Sequence, residues 1–262
     1  MTTFSVLGSI ECWSGQRLVE ISGTLQRTLL AALLANESKP VAAEHLMQEL
    51  WQTAPPRHWE NALQAHVSRL RRRLASVADD RPARLVVQPS GYRLLVDPDA
   101  MDATTFMRAF TRARAVAGTD PAEAAGQLRS ALALWHGPAF GNVIGGPMCR
   151  AAAARYEGAR LVALETLFDL ELRVGRHSDI IPALRELVES PSLNERFCEQ
   201  LMIALYRSGL QTDALATYRR MRQRLDLELG VKPTNTLRNL EKAILAHDPS
   251  LQSRADHLVL RA

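Results

Sequence analysis

The chain has 262 residues, 47% hydrophobic and 23% charged, which excludes wholesale disorder and leaves room for two domains with buried cores. Its net charge is only +4, so a nucleic-acid partner must be argued from local arrangement and not from overall charge. Cys12, Cys149 and Cys198 lie far apart with no CxxC pair, and no basic start or long apolar run occurs. Neither a disulfide framework, a zinc site, an export signal nor a membrane span is therefore expected, and a reducing cytoplasm fits.

Residues 4–23, FSVLGSIECWSGQRLVEISG, alternate roughly and are broken by Gly8, Ser14-Gly15 and Gly23. This predicts short antiparallel strands joined by tight turns. Helical periodicity then takes over in LQRTLLAALLANES, with Leu25, Leu29, Leu30, Leu33 and Leu34 as its stripe. A second helix, VAAEHLMQELW, should bury Leu46, Leu50 and Trp51, and Pro55-Pro56 forbids its continuation. A third helix covers 61–75, NALQAHVSRLRRRLA. RLVVQPSGYRLLVD follows as a hairpin turning at Pro89-Ser90-Gly91. Strands, three helices and a hairpin are the order of a winged helix-turn-helix.

From Asp102 onward the strand signals vanish and Ala-rich amphipathic segments follow one another. Arg173, Gly175, Asp179 and Arg185 recur as Arg207, Gly209, Asp213 and Arg219, each 34 residues later. Leu187 recurs as Met221, and a weaker copy spans Gly118 to Arg129. That is the tetratricopeptide spacing, two antiparallel helices per unit. The glycines suit left-handed helix ends, and Asp179 or Asp213 can begin the next helix. The expected fold class is mainly α: a winged helix-turn-helix (α+β) in 1–96, then an all-α tetratricopeptide-like domain in 97–262, with the change of grammar in VDPDAMD, residues 96–102.

The third helix carries more positive charge than a surface helix requires: Arg69, Arg71, Arg72 and Arg73 fall within five residues. A GC-rich genome explains why 29 of the 32 basic residues are Arg, but not why these four cluster. On a helical wheel Leu63, Val67, Leu70 and Leu74 lie within about 60° of one another and form a core-facing seam. Opposite them stand Asn61, Ala65, Ser68 and Arg72, flanked by Gln64 and Arg69. Small Ala65 and Ser68 let the backbone sit deep in a major groove. Asn61 and Gln64 match the paired groups of an adenine edge, and Arg69 or Arg72 can fork onto a guanine. Arg71 and Arg73 sit at the margins, placed to hold phosphates. Arg27 near the start of the first long helix, and Ser90 and Arg93 on the hairpin, are candidate backbone or minor-groove contacts. Tyr92 alternates like a core residue.

No chemistry of catalysis is visible. His66 reads as a packed or partly exposed histidine; His45, His58, His136, His177, His247 and His257 are scattered without ligand companions, and the Gly-rich FGNVIGGP lacks the GxxxxGK[ST] pattern. It reads as a loop, so no cofactor, metal or enzymatic activity is expected.

LLAALLANESKPVAAEHLMQELW, then PP, NALQAHVSRLRRRL and GYRL together strongly resemble the N-terminal domain of the Streptomyces antibiotic regulatory proteins. ALALWHGPAF, LMIALYRSGLQTDALATYRRMRQRLDLELGVKP and LRNLEKAIL are similar to their bacterial transcriptional activation domain, and the match runs from about Phe4 to Leu245. The resemblance implies an OmpR-type DNA-binding domain whose helix at 61–75 reads the major groove and whose hairpin at 84–96 is the wing. It implies an activator of a secondary-metabolite (antibiotic) gene cluster. Two copies would bind side by side on promoter direct repeats of double-stranded DNA and recruit RNA polymerase through its sigma and other subunits. The loop QTAPPRH (Gln52, Thr53, Pro55, Pro56, Arg57 and His58) matches the position that faces polymerase, and the protein would be cytoplasmic and nucleoid-associated. Glu60 beside the recognition helix and SGTLQR before the first long helix depart from the family pattern and leave the operator sequence open. A repeat-based protein adaptor, its basic helix merely a solvated surface, is the competing reading.

Overall fold

The computed structural model describes residues 1–75, 83–143 and 145–252; His257 lies outside them. The chain forms two compact units, Met1–Thr111 with Ser130–Leu161, and Arg112–Arg129 with Val162–Ala262. As expected from the sequence, the architecture is mainly helical, with small N-terminal sheets and a winged helix-turn-helix ahead of an all-helical array.

The first unit opens with an antiparallel sheet of β1 (Thr2–Ser5), β2 (Glu11–Ser14) and β3 (Arg17–Leu18). Phe4 sits opposite Cys12, and both are buried. Gly23, at φ 90°, turns the chain into α1 (Thr24–Ala35), where Leu29, Leu30, Leu33 and Leu34 are buried as the periodicity requires. Leu25 is only half-buried. Helix α2 (Ala43–Trp51) buries Leu46 and Leu50, while Trp51 stays half-buried and meets His66 edge-on at 6.1 Å. Helix α3 runs Trp59–Ala75, two residues longer at its start than the periodicity marked. Its extension places exposed Glu60 in the first turn, where a carboxylate complements the helix dipole.

β4 (Arg84–Gln88) and β5 (Gly91–Leu95) pair with Gln88 opposite Gly91, leaving Pro89-Ser90 as the two-residue tip. The hairpin is tied to the start of α2 by a reciprocal pair of 2.8 Å hydrogen bonds between the backbones of Val41 and Tyr92. That approach is why residue 91 is glycine. Its φ is 121°, and a Cβ there would lie 2.1 Å from the Val41 carbonyl oxygen.

Two carboxylates hold the rest of this unit together. Asp102, the first residue of α4 (Asp102–Val116), accepts hydrogen bonds from Val6 N at 2.9 Å and Leu7 N at 3.1 Å. Glu49 of α2, 1% exposed, accepts from Met148 N at 2.6 Å and Cys149 N at 3.3 Å, capping the orphan amides of α6 (Pro147–Arg173). A Cβ on Gly146 would lie 2.8 Å from Glu49, and the backbones of His136 and Phe140 donate to Leu7 and Val6. The Gly-rich segment is thus a packing loop that brings backbone against backbone.

In the second unit α7 (His177–Glu189), α8 (Glu195–Arg207), α9 (Gln211–Leu229) and α10 (Asn235–Leu245) share a core of Phe168, Leu184, Phe197, Leu201, Leu205, Met221, Leu237 and Ile244. The preceding α5 is Pro121–Leu132. The 34-residue repeat has a structural counterpart: Gly175 and Gly209 adopt φ 82° and 76°, and each turn is closed by an amide (Arg176 to Glu171 O, Leu210 to Leu205 O). Asp179 and Asp213 do not cap the following helices. They stand in the first turn, because the left-handed glycine places the helix starts at His177 and Gln211. Their charges act on the helix dipole instead.

Candidate nucleic-acid interface

The leucine seam of α3 is closed to solvent: Leu63 and Leu70 are 0% exposed, Leu74 2% and Val67 3%. Helices α1 and α2 and strand β4 pack against this helix. The opposite face is open. Asn61, Gln64, Ala65, Ser68, Arg69, Arg71, Arg72 and Arg73 are all exposed. The structure therefore brings the polar candidates of this helix onto one surface, with small Ala65 and Ser68 at its centre.

The arginines differ in what they touch. Arg71 Nε donates to Leu85 O at 3.0 Å and so ties the end of the helix to the wing. Arg69 Nε reaches back to Ala65 O at 3.3 Å. Arg72 has no hydrogen-bond or ion-pair partner among the described residues. Arg69, Arg72 and Arg73 line a basin of about 450 Å³ with Ile21, Ser22 and Gln26.

The candidates outside α3 are dispersed. Ser90 is exposed at the hairpin tip. Arg93 is half-buried and donates through Nε to Ser38 O, so that nitrogen is occupied by the connection between α1 and α2. Tyr92 is half-buried. Arg27 is half-buried within the first turn of α1, its Nε enclosed without a hydrogen-bond partner among the described residues. Gln52, Thr53, Pro55, Pro56, Arg57 and His58 are all exposed in the loop between α2 and α3.

His66 is a supporting residue, half-buried as the sequence suggests and packed against Trp51 and Gln26. Gln26 Nε2 donates to its Nδ1 at 2.8 Å, which requires a neutral ring. Burial, and then the nearby charge of Arg69, hold its pKa below the ordinary 6.5. A folded-state pKa below the unfolded one means that this stabilisation is complete above 6.5 and is lost as pH falls through the folded-state value. Acidification is accordingly expected to lower the melting temperature of the wild type more steeply than that of His66→Gln. Equal pH slopes in the two proteins would remove His66 from the account.

No group of three or more His, Cys, Asp or Glu able to hold a metal occurs among the described residues. The cysteines are buried, and burial pushes the Cys12 and Cys198 thiols up to about 12, so they remain protonated. Among the described residues no helix is long and apolar enough to cross a membrane.

Two family models match: the C-terminal domain of transcriptional regulatory proteins over residues 19–94, and the bacterial transcriptional activator domain over residues 101–245. The chain is 42% identical to the transcriptional regulator RedD of Streptomyces coelicolor over 86% of its own length and 65% of RedD. It is 37% identical to the regulatory protein DnrI of Streptomyces peucetius, over 85% of this chain and 83% of DnrI. It thus spans less than two thirds of RedD, and about a quarter of the AfsR regulatory proteins it also matches. Among solved structures, Mycobacterium tuberculosis EmbR in complex with a low-affinity phosphopeptide superposes with a TM-score of 0.86 at 29% identity. That match covers 95% of this chain and 66% of EmbR's.

Proposed function

From the premise that the chain belongs to the Streptomyces antibiotic regulatory protein family, a family of transcriptional regulators, we propose that it is a cytoplasmic, sequence-specific DNA-binding activator of a secondary-metabolite gene cluster. The observation that carries this reading is the outward face of α3. Asn61, Gln64, Ala65, Ser68 and Arg72 share one exposed surface, while the same helix is anchored behind by fully buried leucines. A rigid helix with small residues at its centre and hydrogen-bonding groups around them has the chemistry to enter a major groove and read base edges.

In this reading Asn61 and Gln64 meet adenine edges, and Arg72, which has no partner among the described residues, forks onto a guanine. Arg69 and Arg73 offer the basin beside the face to a backbone phosphate. Arg71 holds the wing through Leu85 O and directs its remaining donors to phosphate. Ser90 at the hairpin tip, Arg27 and Arg93 contribute backbone contacts. Residues 1–96 carry DNA binding and 97–262 the activator function, with two copies side by side on promoter direct repeats. The exposed loop 52–58, which resembles the family's polymerase-facing loop, meets RNA polymerase, sigma subunit included, in this reading.

Arg72→Ala is expected to weaken binding to a cognate promoter duplex by about 1–3 kcal/mol while changing random-duplex binding little. Arg71→Ala should weaken both nearly equally and flatten the salt dependence. Salt titrations on duplexes from the neighbouring promoters and on scrambled duplexes read both. Equal losses on the two duplexes for every variant would overturn the roles given to these residues. No retardation of any such promoter at low salt would favour a protein adaptor instead.

A further inference from the structure

Six arginines of the helical unit are matched to carboxylates. Arg129 and Arg176 face Glu171, Arg185 faces Asp213, Arg196 faces Asp169 and Glu199, Arg220 faces Glu189, and Arg224 faces Glu228. A groove between α9 and α10 breaks this pattern. Arg219, Arg222, Lys232 and Arg238 line it, with Asp226 as its one acidic lining residue. None of the four cations forms an ion pair among the described residues; Arg238 donates only to Asn235 of its own helix.

The repeat explains how Arg219 is left over. Arg219 is the counterpart of Arg185 one period on. Arg185 of α7 meets Asp213 of α9, two helices on, with a separation of 2.9 Å. One further period from Asp213 the chain carries His247, so no carboxylate stands at the corresponding place for Arg219. A second feature adjoins the groove. Leu229, seven residues on from Arg222 at the end of α9, and Val231 just beyond it are 62% and 46% exposed. Val231 itself lines the groove. Adjacent exposed apolar residues beside unmatched cations mark a surface that is incompletely covered.

We infer that the α9–α10 groove is a docking site for an acidic, amphipathic segment of a protein partner. Its carboxylates replace the missing repeat carboxylate at Arg219 and meet Arg222, Lys232 and Arg238. Its apolar side chains cover Leu229 and Val231. Nucleic acid satisfies the cations but leaves the exposed apolar residues in water, and the pairing of both features favours a protein segment. This surface stands apart from the DNA-reading role of α3 and survives if that role fails.

The test uses the full chain and a short fluorescein-labelled synthetic peptide with Glu and Leu at helical spacing, read by fluorescence anisotropy. The wild type is expected to bind it, with affinity falling as salt rises. Arg219→Glu with Arg222→Glu should weaken binding by about tenfold or more, and Leu229→Ser with Val231→Ser should weaken it as well. A Gln-for-Glu version of the peptide should bind poorly. All four residues are exposed, so circular dichroism melts should match the wild type; if charge reversal lowers the melting temperature, the Arg→Gln pair makes the same comparison. Absence of binding, or binding indifferent to both pairs of substitutions, overturns the proposal. In a chain whose α3 arginines are replaced by Ala, random duplex that binds through Arg219 and Arg222 more tightly than the peptide also overturns it, in favour of a nucleic-acid site.

Discussion

A Leu70→Ala chain is expected to lose about 2–5 kcal/mol of folding stability, whereas Arg72→Ala, two residues along the same helix, is expected to change it by less than about 0.5 kcal/mol. Leu70 is 0% exposed in the seam against which the neighbouring elements pack, so truncation removes its burial and leaves a cavity. Arg72 is exposed and has no partner among the described residues, so its removal exposes nothing. Against a typical total of about 5–15 kcal/mol, the leucine truncation consumes a large share, and DNA binding should fall with the folded fraction. Urea denaturation separates the cases: a shifted midpoint for Leu70→Ala, an unshifted one for Arg72→Ala with lost promoter affinity. Comparable midpoint shifts in both variants would mean that the arginine face is structural.

The second large effect is expected at Gly91, where Ala should cost about 3 kcal/mol or more through combined crowding and backbone strain. The new Cβ meets backbone, not a flexible side chain, because the Val41 carbonyl oxygen lies 2.1 Å from its position. Relief requires the hairpin to withdraw from Val41, which breaks the reciprocal hydrogen bonds to Tyr92 and displaces the wing. The variant should therefore lose phosphate contacts from the hairpin as well as stability, and should weaken binding to cognate and random duplexes alike. Amide exchange at Tyr92 reports the break directly. Unchanged protection there, with a wild-type melting temperature, would dismiss the account.

Particular residues show why some of this was legible in the sequence. The seam of Leu63, Val67, Leu70 and Leu74 follows from periodicity alone, since burial at helical spacing is a local property. The hairpin turn at Pro89-Ser90 and the left-handed glycines 175 and 209 were readable for the same reason: each meets a local conformational demand. Other features were not readable. Glu49 lies on the buried side of α2 with Leu46 and Leu50, and a carboxylate in an apolar stripe was the available signal. Its partners, the amides of Met148 and Cys149, are about a hundred residues away in the chain. The glycines of FGNVIGGP resembled no phosphate cradle, and their use in close packing against Glu49 emerges only in three dimensions. Arg71 and Arg93 looked like unencumbered cations, yet each spends a donor on a backbone carbonyl of another element.

What this sequence determined by itself was element type, order and the polarity of the helix faces, together with a set of motifs that resembles one family. These depend on side-chain period and backbone preference over a few residues, which short-range sterics and apolar burial settle. Tertiary structure alone decided which polar groups remain free to act. Among the described residues Arg72 is left open, Arg71 is half-committed to the wing, and Arg219 and Arg222 line a groove without an ion-pair partner. A charged side chain's availability depends on every group that folding brings within hydrogen-bond reach, and that sum over distant parts of the chain is not written in any local window.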